Sequence, residues 1–326
     1  MSQKITIECV SPGLEAARIE TVVTLPTFRR PDHLLKTLSS LARQRNAGPF
    51  AVIVMENDAE GQEGLQAARP LFEDGTMAGL VLIAHERGNC SAYNAGWQTA
   101  LADFPNMRHL LVIDDDETAD ENWVATMIAA ADGLGADIVG GPQVPCFEAG
   151  AKMALSRHPV FVPHYRETRV VPILFSSGNV LIRRHVLEAM GAPFLDTAFN
   201  FIGGGDSDFY SRCKERGFRF GWCAEACVYE SVPARRTEFS WLNARGLRNG
   251  AISAMIESRR GRGALAGWKR VAKSLALLAA SPWRSLVLAW GTGSPLIGIY
   301  HLQVALGRLF AEFGQVNEQY RRPEQN

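Results

Sequence analysis

The sequence has no excess of charge of either sign: Lys and Arg together number 34, as do Asp and Glu, in 326 residues with a formal net charge of zero. No global field therefore draws the chain onto nucleic acid or acidic lipid, and any partner must be recognised locally. Cysteine is sparse. The six residues (Cys9, Cys90, Cys146, Cys213, Cys223 and Cys227) are scattered, and their tightest spacing, C-x3-C, has no second pair to complete a zinc site. A disulfide-stapled scaffold is excluded, and reduced thiols in a cytoplasmic protein are the expectation. No G-x-G-x-x-G follows the first apolar run, which argues against a dinucleotide-dependent dehydrogenase. The N-terminus, MSQKITIECVSPGLEAARIE, lacks the continuous apolar stretch of a signal or transit peptide. Uninterrupted long apolar runs are missing as well. The best candidate, Ser285 to Gly307, has 23 residues but carries four glycines, a proline and the polar Thr292, Ser294 and Gln303, so it reads as interfacial or ordinary helices rather than a span.

What is present is an alternation of strand and helix patterns. Ile19 to Leu25 (IETVVTL) is a short β-branched run, and after TFRRP the leucines at 34, 35, 38 and 41 recur at helical spacing, with Asp32 as a candidate cap. Strand-like AVIVMEND, helix-like EGLQAARPLFED, strand-like LVLIAHE, helix-like AYNAGWQTALAD and strand-like HLLVIDDDE repeat the alternation. Such an order implies a doubly wound, mostly parallel sheet, in which ligands bind beyond the carboxyl ends of the strands. The residues to inspect are then Thr24, Pro26, Glu56, Asn57, Asp58 and Asp114 to Asp116. From Ala136 the texture changes to ADIVGGPQV and PILFSSGNVLIRR, strands of a second half. Farther on, the basic ESRRGR precedes two apolar helices that end near Phe313, and NEQYRRPEQN reads as a disordered tail.

Two stretches carry chemistry. Leu110 to Glu117 delivers three consecutive aspartates from an apolar strand, and such a cluster repels itself unless a cation or hydrogen bonds neutralise it. Asp114 and Asp116, in D-x-D spacing, can address one metal, and hard carboxylate oxygens suit Mg²⁺ or Mn²⁺ on a diphosphate. A solvated acidic loop or a helix cap is the plain alternative. In FNFIGGGDSDF a glycine triplet lets backbone approach a ligand and presents Asp206 and Asp208 at a helix start, where one could serve as general base. Simple helix capping is the alternative there.

In order along the chain, VVTLPTFRRPDHLLKTLSSL, AVIVMENDAEG, GNCSAYNAGW, LLVIDDDE, SSGNVLIRR, GGGDSDF and CVYESVPARR with WLNARGLRNG resemble the inverting family 2 glycosyltransferases of the GT-A fold, bacterial surface-polysaccharide type. The resemblance covers about Thr21 to Gly250. It implies a Rossmann-like, doubly wound mixed sheet with a C-terminal helical appendage. The glycosyltransferase domain would span 1–250, with a nucleotide-sugar half at 19–117 and an acceptor half at 136–250. Helices that can touch a membrane would follow at 251–313, and a tail at 314–326. It further implies that Thr24, Pro26, Phe28, Glu56, Arg87, Asn94, Asp114 and Asp115 line the nucleotide site. Asp116, with Asp114 and Glu230, would hold Mn²⁺ or Mg²⁺. Asp206 would be the catalytic base with Asp208 as competitor, and Arg245 or Arg248 would hold the leaving group. Three positions depart from the family pattern: Glu56 stands for Asp, Tyr93 for Arg before Asn94, and Gly205 for the Glu before Asp206. The processive Gln-x-x-Arg-Trp signature is missing from NARGLRNG, which implies transfer of a single sugar.

The implied partners are a nucleotide-sugar donor, in first place a UDP-sugar, and a glycan or lipid-linked saccharide acceptor, with no nucleic acid. The implied location is the cytoplasm or the inner face of the plasma membrane. A catalytically degenerate nucleotide-binding relative and a metal-dependent nucleotidyltransferase are the competing readings, although no Gly-rich basic loop suited to a triphosphate is present.

Overall fold

Strands buried on both faces must be apolar along their whole length, and this requirement sets the centre of the molecule. In a computed structural model that describes residues 4–261 and 263–315, β1 (Ile5–Val10) is followed by β2 (Thr21–Thr27), α1 (Pro31–Ala42), β3 (Phe50–Glu56), α2 (Glu63–Glu73), β4 (Gly79–Ala84), α3 (Asn89–Asp103) and β5 (His109–Ile113). Every residue of β2, β4 and β5 is buried. Next come β6 (Glu117–Ala119), α4 (Trp123–Leu134), β7 (Ile138–Gly140), β8 (Gln143–Phe147), β9 (Arg169–Val171), β10 (Asn179–Arg183), α5 (Arg184–Met190), α6 (Gly205–Glu215), β11 (Phe220–Trp222) and β12 (Val228–Val232). The main sheet runs β1-β4-β3-β2-β5-β10-β7-β11-β9, and β6-β12-β8 form a small second sheet.

The parallel part is narrower than the alternation implies. β4-β3-β2-β5 is parallel, as is β7-β11, whereas β10 enters antiparallel between β5 and β7, and β1 and β9 close the edges antiparallel. The N-terminal edge strand β1 has no counterpart in the sequence reading, because its ITIECV is only partly buried and its pairing with β4 shifts register between Ile7 and Cys9. Asp32 is not the cap of α1. Arg30 occupies the cap position and Pro31 begins the helix, where its missing N–H costs nothing.

The order of β2, β3 and β5 creates the crevice. From β2 the chain steps to β3 and β4 on one side and returns to pair β5 on the other. The loops after β2 and β5 therefore part at a topological switch point, the place where open α/β sheets bind ligands.

The compact unit built on this sheet comprises residues 1–144, 164–200 and 205–230; a second unit comprises 145–163, 201–204 and 231–326. In the second unit α7 (Phe239–Arg260), α8 (Ala264–Thr292), α9 (Pro295–Gly298) and α10 (Tyr300–Glu312) pack with the 145–163 segment around Leu155, Phe161, Val232, Leu242 and Ile297. Backbones of α7 and α10 touch at two glycines: a Cβ on Gly250 would lie 2.0 Å from Val304 O, and one on Gly307 would lie 1.9 Å from Leu247 O. The stretch expected as a disordered tail lies, from 316 onwards, outside the described residues.

Candidate active site

Asp114, Asp115 and Asp116 form the turn between β5 and β6, at the carboxyl end of the central strand pair. Each aspartate is held differently. The Tyr93 hydroxyl, from the buried face of α3, donates a short hydrogen bond to Asp114 Oδ1, while Asp114 N–H donates to Glu117 Oε2 at 2.9 Å. Asp115 accepts from Thr27 Oγ1 at 2.9 Å, and Arg30 Nη1 reaches both Asp115 Oδ1 (3.3 Å) and Asp116 Oδ2 (3.0 Å). Thr37 Oγ1 of α1 lies 2.5 Å from Glu117 O and 2.9 Å from Asp115 O, which pins the turn to the helix. Glu117 also accepts a short bond from Gln143 Nε2, and Ser176 Oγ donates to Gln143 Oε1 at 2.5 Å. A Cβ on Gly178 would lie 2.7 Å from Glu117 Oε1 and 2.9 Å from Asp114 Oδ2, so the SSGN segment closes on the carboxylates only because it carries no side chain there.

Burial and mutual repulsion act on this cluster. Burial, reinforced by the charge on Asp116, pushes the Asp114 carboxyl up to about 7 against the Tyr93 hydrogen bond. Burial pushes Asp115 up to about 6, opposed by Arg30 and assisted by Asp116. Glu117 is raised by burial and by Asp114. Glu230, opposite Glu117 in the β6–β12 pairing, adds a further negative charge that Asp114 feels. Arg30 places a guanidinium in direct contact with the aspartate turn. No group of three His, Cys, Asp or Glu side chains among the described residues stands ready to hold a metal. Asp114 and Asp116 nevertheless suit a hard cation that completes its shell with substrate phosphate oxygens, the common arrangement for Mg²⁺.

The expected nucleotide-lining residues divide into two groups. Phe28 is half-buried beyond β2, with the Arg29 and Arg87 guanidiniums each 5.0 Å from its ring centroid; Arg29 also pairs with Asp58 at 2.5 Å. That ring and its cations sit at the crevice. Thr24 does not: it is buried within β2 and donates to Leu111 O at 3.1 Å, bracing β2 against β5. Pro26 is likewise enclosed in the strand. Glu56 accepts from Asp58 N (2.8 Å) and Leu65 N (3.1 Å), so both oxygens fasten the loop to the start of α2. Asn94 exchanges two bonds with the Leu195 backbone, at 2.7 and 2.9 Å. The loop that carries Arg87 is clasped by Asn57, which donates to Ala84 O and Glu86 O and accepts from Gly88 N.

Asp206 and Asp208 open α6, after Gly203 and Gly204 have turned the chain with positive φ. Asp208 is buried, and Arg212 Nε donates to it at 2.8 Å. Asp206 is half-buried, and its Oδ1 takes the Ser207 N–H at 2.7 Å. Asp206 and Asp114 both raise the Tyr210 hydroxyl, itself lifted first by burial, so that phenol is their common neighbour. Its O–H donates to Ser176 O at 3.1 Å. The second acidic motif thus reaches the same environment as the first.

The model of glycosyl transferase family 2 matches residues 22–191, more than half of the chain. The chain belongs to glycosyl transferase family 2. The succinoglycan biosynthesis protein ExoM of Rhizobium meliloti (strain 1021) is 29% identical over 257 residues, 74% of this chain and 76% of that protein. Two solved structures share the fold. Mannosyltransferase PcManGT from Pyrobaculum calidifontis, in complex with GDP-Man and Mn2+, gives a TM-score of 0.56 at 17% identity over 95% of this chain and 91% of its own. S. aureus TarS 1-349, in complex with UDP-GlcNAc, gives 0.50 at 13% identity over 93% and 97%. The fold is GT-A, a mixed α/β sheet with a helical C-terminal region.

Within family 2, the departures of this chain have local causes. A Cβ on Gly205 would stand 2.4 Å from Cys90 Sγ, so the thiol occupies the space a Glu would need. Tyr93 supplies a neutral donor to Asp114 from the place of an arginine. The site also contains residues that motif reading passed over: Thr27, Arg30, Glu117, Gln143 and Gly178. Arg30 had a signal, the paired arginines directly after the first strand. Gly178 lay inside the SSGNVLIRR motif without being singled out, and Gln143 had no signal, since only the small β6-β12-β8 sheet brings its segment to Glu117.

Proposed function

We propose that the protein is an inverting glycosyltransferase that moves one sugar from a nucleotide sugar, in first place a UDP-sugar, to a glycan or lipid-linked acceptor in cell-surface polysaccharide synthesis. The observation that carries this reading is the acidic turn at the switch point, three consecutive aspartates at the carboxyl end of β5, with Arg30 and Tyr93 held against them. The role of the Rhizobium relative in succinoglycan biosynthesis supports the polysaccharide assignment, and the nucleotide sugars held by the solved structures of similar fold support the donor class.

In this mechanism the half-buried Phe28 ring, between Arg29 and Arg87, offers a face for the base and cations beside it. Asp114 and Asp115 fix the ribose side of the donor. Asp116, with Asp114, would hold Mn²⁺ or Mg²⁺, whose charge offsets the diphosphate and eases its departure. Glu230 contributes negative charge beside them. Asp206 accepts the proton of the acceptor hydroxyl as that oxygen attacks the anomeric carbon; the new C–O bond forms as the bond to the diphosphate breaks, and the configuration inverts. Asp208 is tied to Arg212 and positions the start of α6.

Calorimetric titration of UDP, GDP and CDP, with Mn²⁺ and with EDTA, tests the donor site. The expected result is metal-dependent binding of one nucleotide that Asp116→Ala abolishes. Asp206→Asn should keep that binding and lower turnover by at least a hundredfold, in line with the removal of a general base. Binding of no nucleotide overturns the reading, and binding without turnover in the native protein supports the degenerate relative instead.

A further inference from the structure

Helix α8 wears its apolar side chains on the outside. At roughly 100° per residue, Leu265, Trp268, Leu275, Trp283, Leu286 and Trp290 fall within about a quarter of the helix circumference, and all are exposed. Trp268, Trp283 and Trp290 are 75%, 71% and 90% exposed. The opposite face is turned inward and mixed: Ser274 and Ser281 are buried, and Leu288 packs on the core around Leu155 and Ile297. Ser274 Oγ accepts from the buried Arg308, whose guanidinium also reaches Ser253 Oγ and Glu257 Oε2, each at 2.6 Å. A helix that packs only against its own protein has the opposite arrangement.

The charge carried by α8 itself has one sign, with Glu257 and Glu312 of the neighbouring helices pairing with Lys273 and Arg270. From Ser258 to Ala311 the chain contains eight Lys or Arg and no Asp or Glu. Lys269, Lys273 and Arg284 are exposed along one border of the apolar stripe. Exposed tryptophan and leucine on one stripe with cations alongside is the pattern of a helix lying in the interface of an anionic bilayer, with rings at headgroup depth and long cationic side chains reaching the phosphates. Among the described residues no helix is long and apolar enough to cross a membrane, so the contact is along the surface. A second copy of the chain would have to set the exposed Lys269 and Arg284 against their own like charges.

We propose that the outer face of α8 is a docking surface for an anionic phospholipid bilayer, with Trp268, Trp283 and Trp290 inserted among the headgroups and Lys269 and Arg284 against the lipid phosphates. The surface does not depend on which sugar, if any, the site transfers.

Flotation of the full chain with vesicles tests it, and does not read sugar transfer. The protein floats with vesicles of phosphatidylcholine and phosphatidylglycerol in equal parts and at least tenfold less with phosphatidylcholine alone. Flotation falls as salt rises. The variant Trp268→Glu/Trp283→Glu/Trp290→Glu loses at least tenfold in flotation with an unchanged thermal melt, and light scattering gives a monomer for both proteins without lipid. Should that variant melt early, Lys269→Glu/Arg284→Glu provides the second reading, with the same loss confined to the mixed vesicles. The proposal is overturned if the native chain stays with the dense fraction, if both variants float as it does, or if the native chain is a dimer that the tryptophan variant converts to monomer while lipid binds neither.

Discussion

Arg30 is the side chain on which the acidic turn depends most directly, because it reaches Asp115 and Asp116 with one nitrogen. Removing one partner of a largely buried charge pair leaves the other uncompensated, which typically costs a few kcal/mol. Arg30→Gln is therefore expected to lower stability by about 1–3 kcal/mol, read from denaturant unfolding, and native stability would remove Arg30 from this role. Gly205 offers a different experiment. Gly205→Glu forces a side chain against Cys90 Sγ, and overpacking of this kind costs about 1–3 kcal/mol. Pairing it with Cys90→Gly should recover part of the lost melting temperature, whereas an additive double variant would show that the two positions do not compete. At this scale the sequence was legible where chemistry is local. Three aspartates ending an apolar run announce themselves, and so does Asp206 after three glycines. Thr24, Glu56 and Asn94 looked like ligands because they follow or flank strand ends, but their polar atoms are consumed by Leu111, by the start of α2 and by Leu195. Side-chain commitments over such distances leave no local pattern.

Among the elements, α8 shows how a break in the backbone ladder is repaired. Pro282 lies inside the helix and cannot donate to Leu278 O; the neighbouring Ser281 Oγ donates there instead, at 2.8 Å. Ser281→Ala leaves that carbonyl with no donor from either residue and should cost about 1 kcal/mol, measured by thermal unfolding, while an unchanged melt would mean another donor serves it. The short helical turn after His158 makes a pH prediction. His158 is buried, accepts from Val160 N at 3.3 Å and packs edge-on against Tyr300, and burial lowers its pKa to about 4. Above about 6.5 the imidazole is neutral in both folded and unfolded chains. As pH falls from there towards about 4, the unfolded chain gains a proton that the folded one refuses, and stability drops by about 1.4 kcal/mol per pH unit at most. His158→Gln should flatten that part of the stability curve; an unaltered slope would assign the loss to other groups. The parallel strands were readable as continuous apolar runs, and helix α1 as a periodic one. Composition hid α8, because a net charge of zero averages an acid-free stretch with an acidic remainder, and periodicity reveals an apolar stripe without saying which way it faces.

For the molecule as a whole, the alternation of strands and helices was enough to give the class of sheet and the crevice at its switch point, and the resemblance of scattered motifs gave the family. It was not enough to give the insertion of β10 between β5 and β7 or the pairing of β1 with β4, because antiparallel partners distant in sequence need no particular spacing. Those same pairings have a consequence for the order in which the protein can be made. While a ribosome is still short of Asn179, β5 presents an open edge, and the aspartate turn behind it lacks Gly178 and the ladder that brings that glycine to Asp114. Glu230 and the rest of β12 arrive later still. A nascent chain that ends soon after β5 can form the β4-β3-β2-β5 part of the sheet but not the completed acidic turn, and its unpaired strand is a template for other chains until the second half of the protein emerges to cover it.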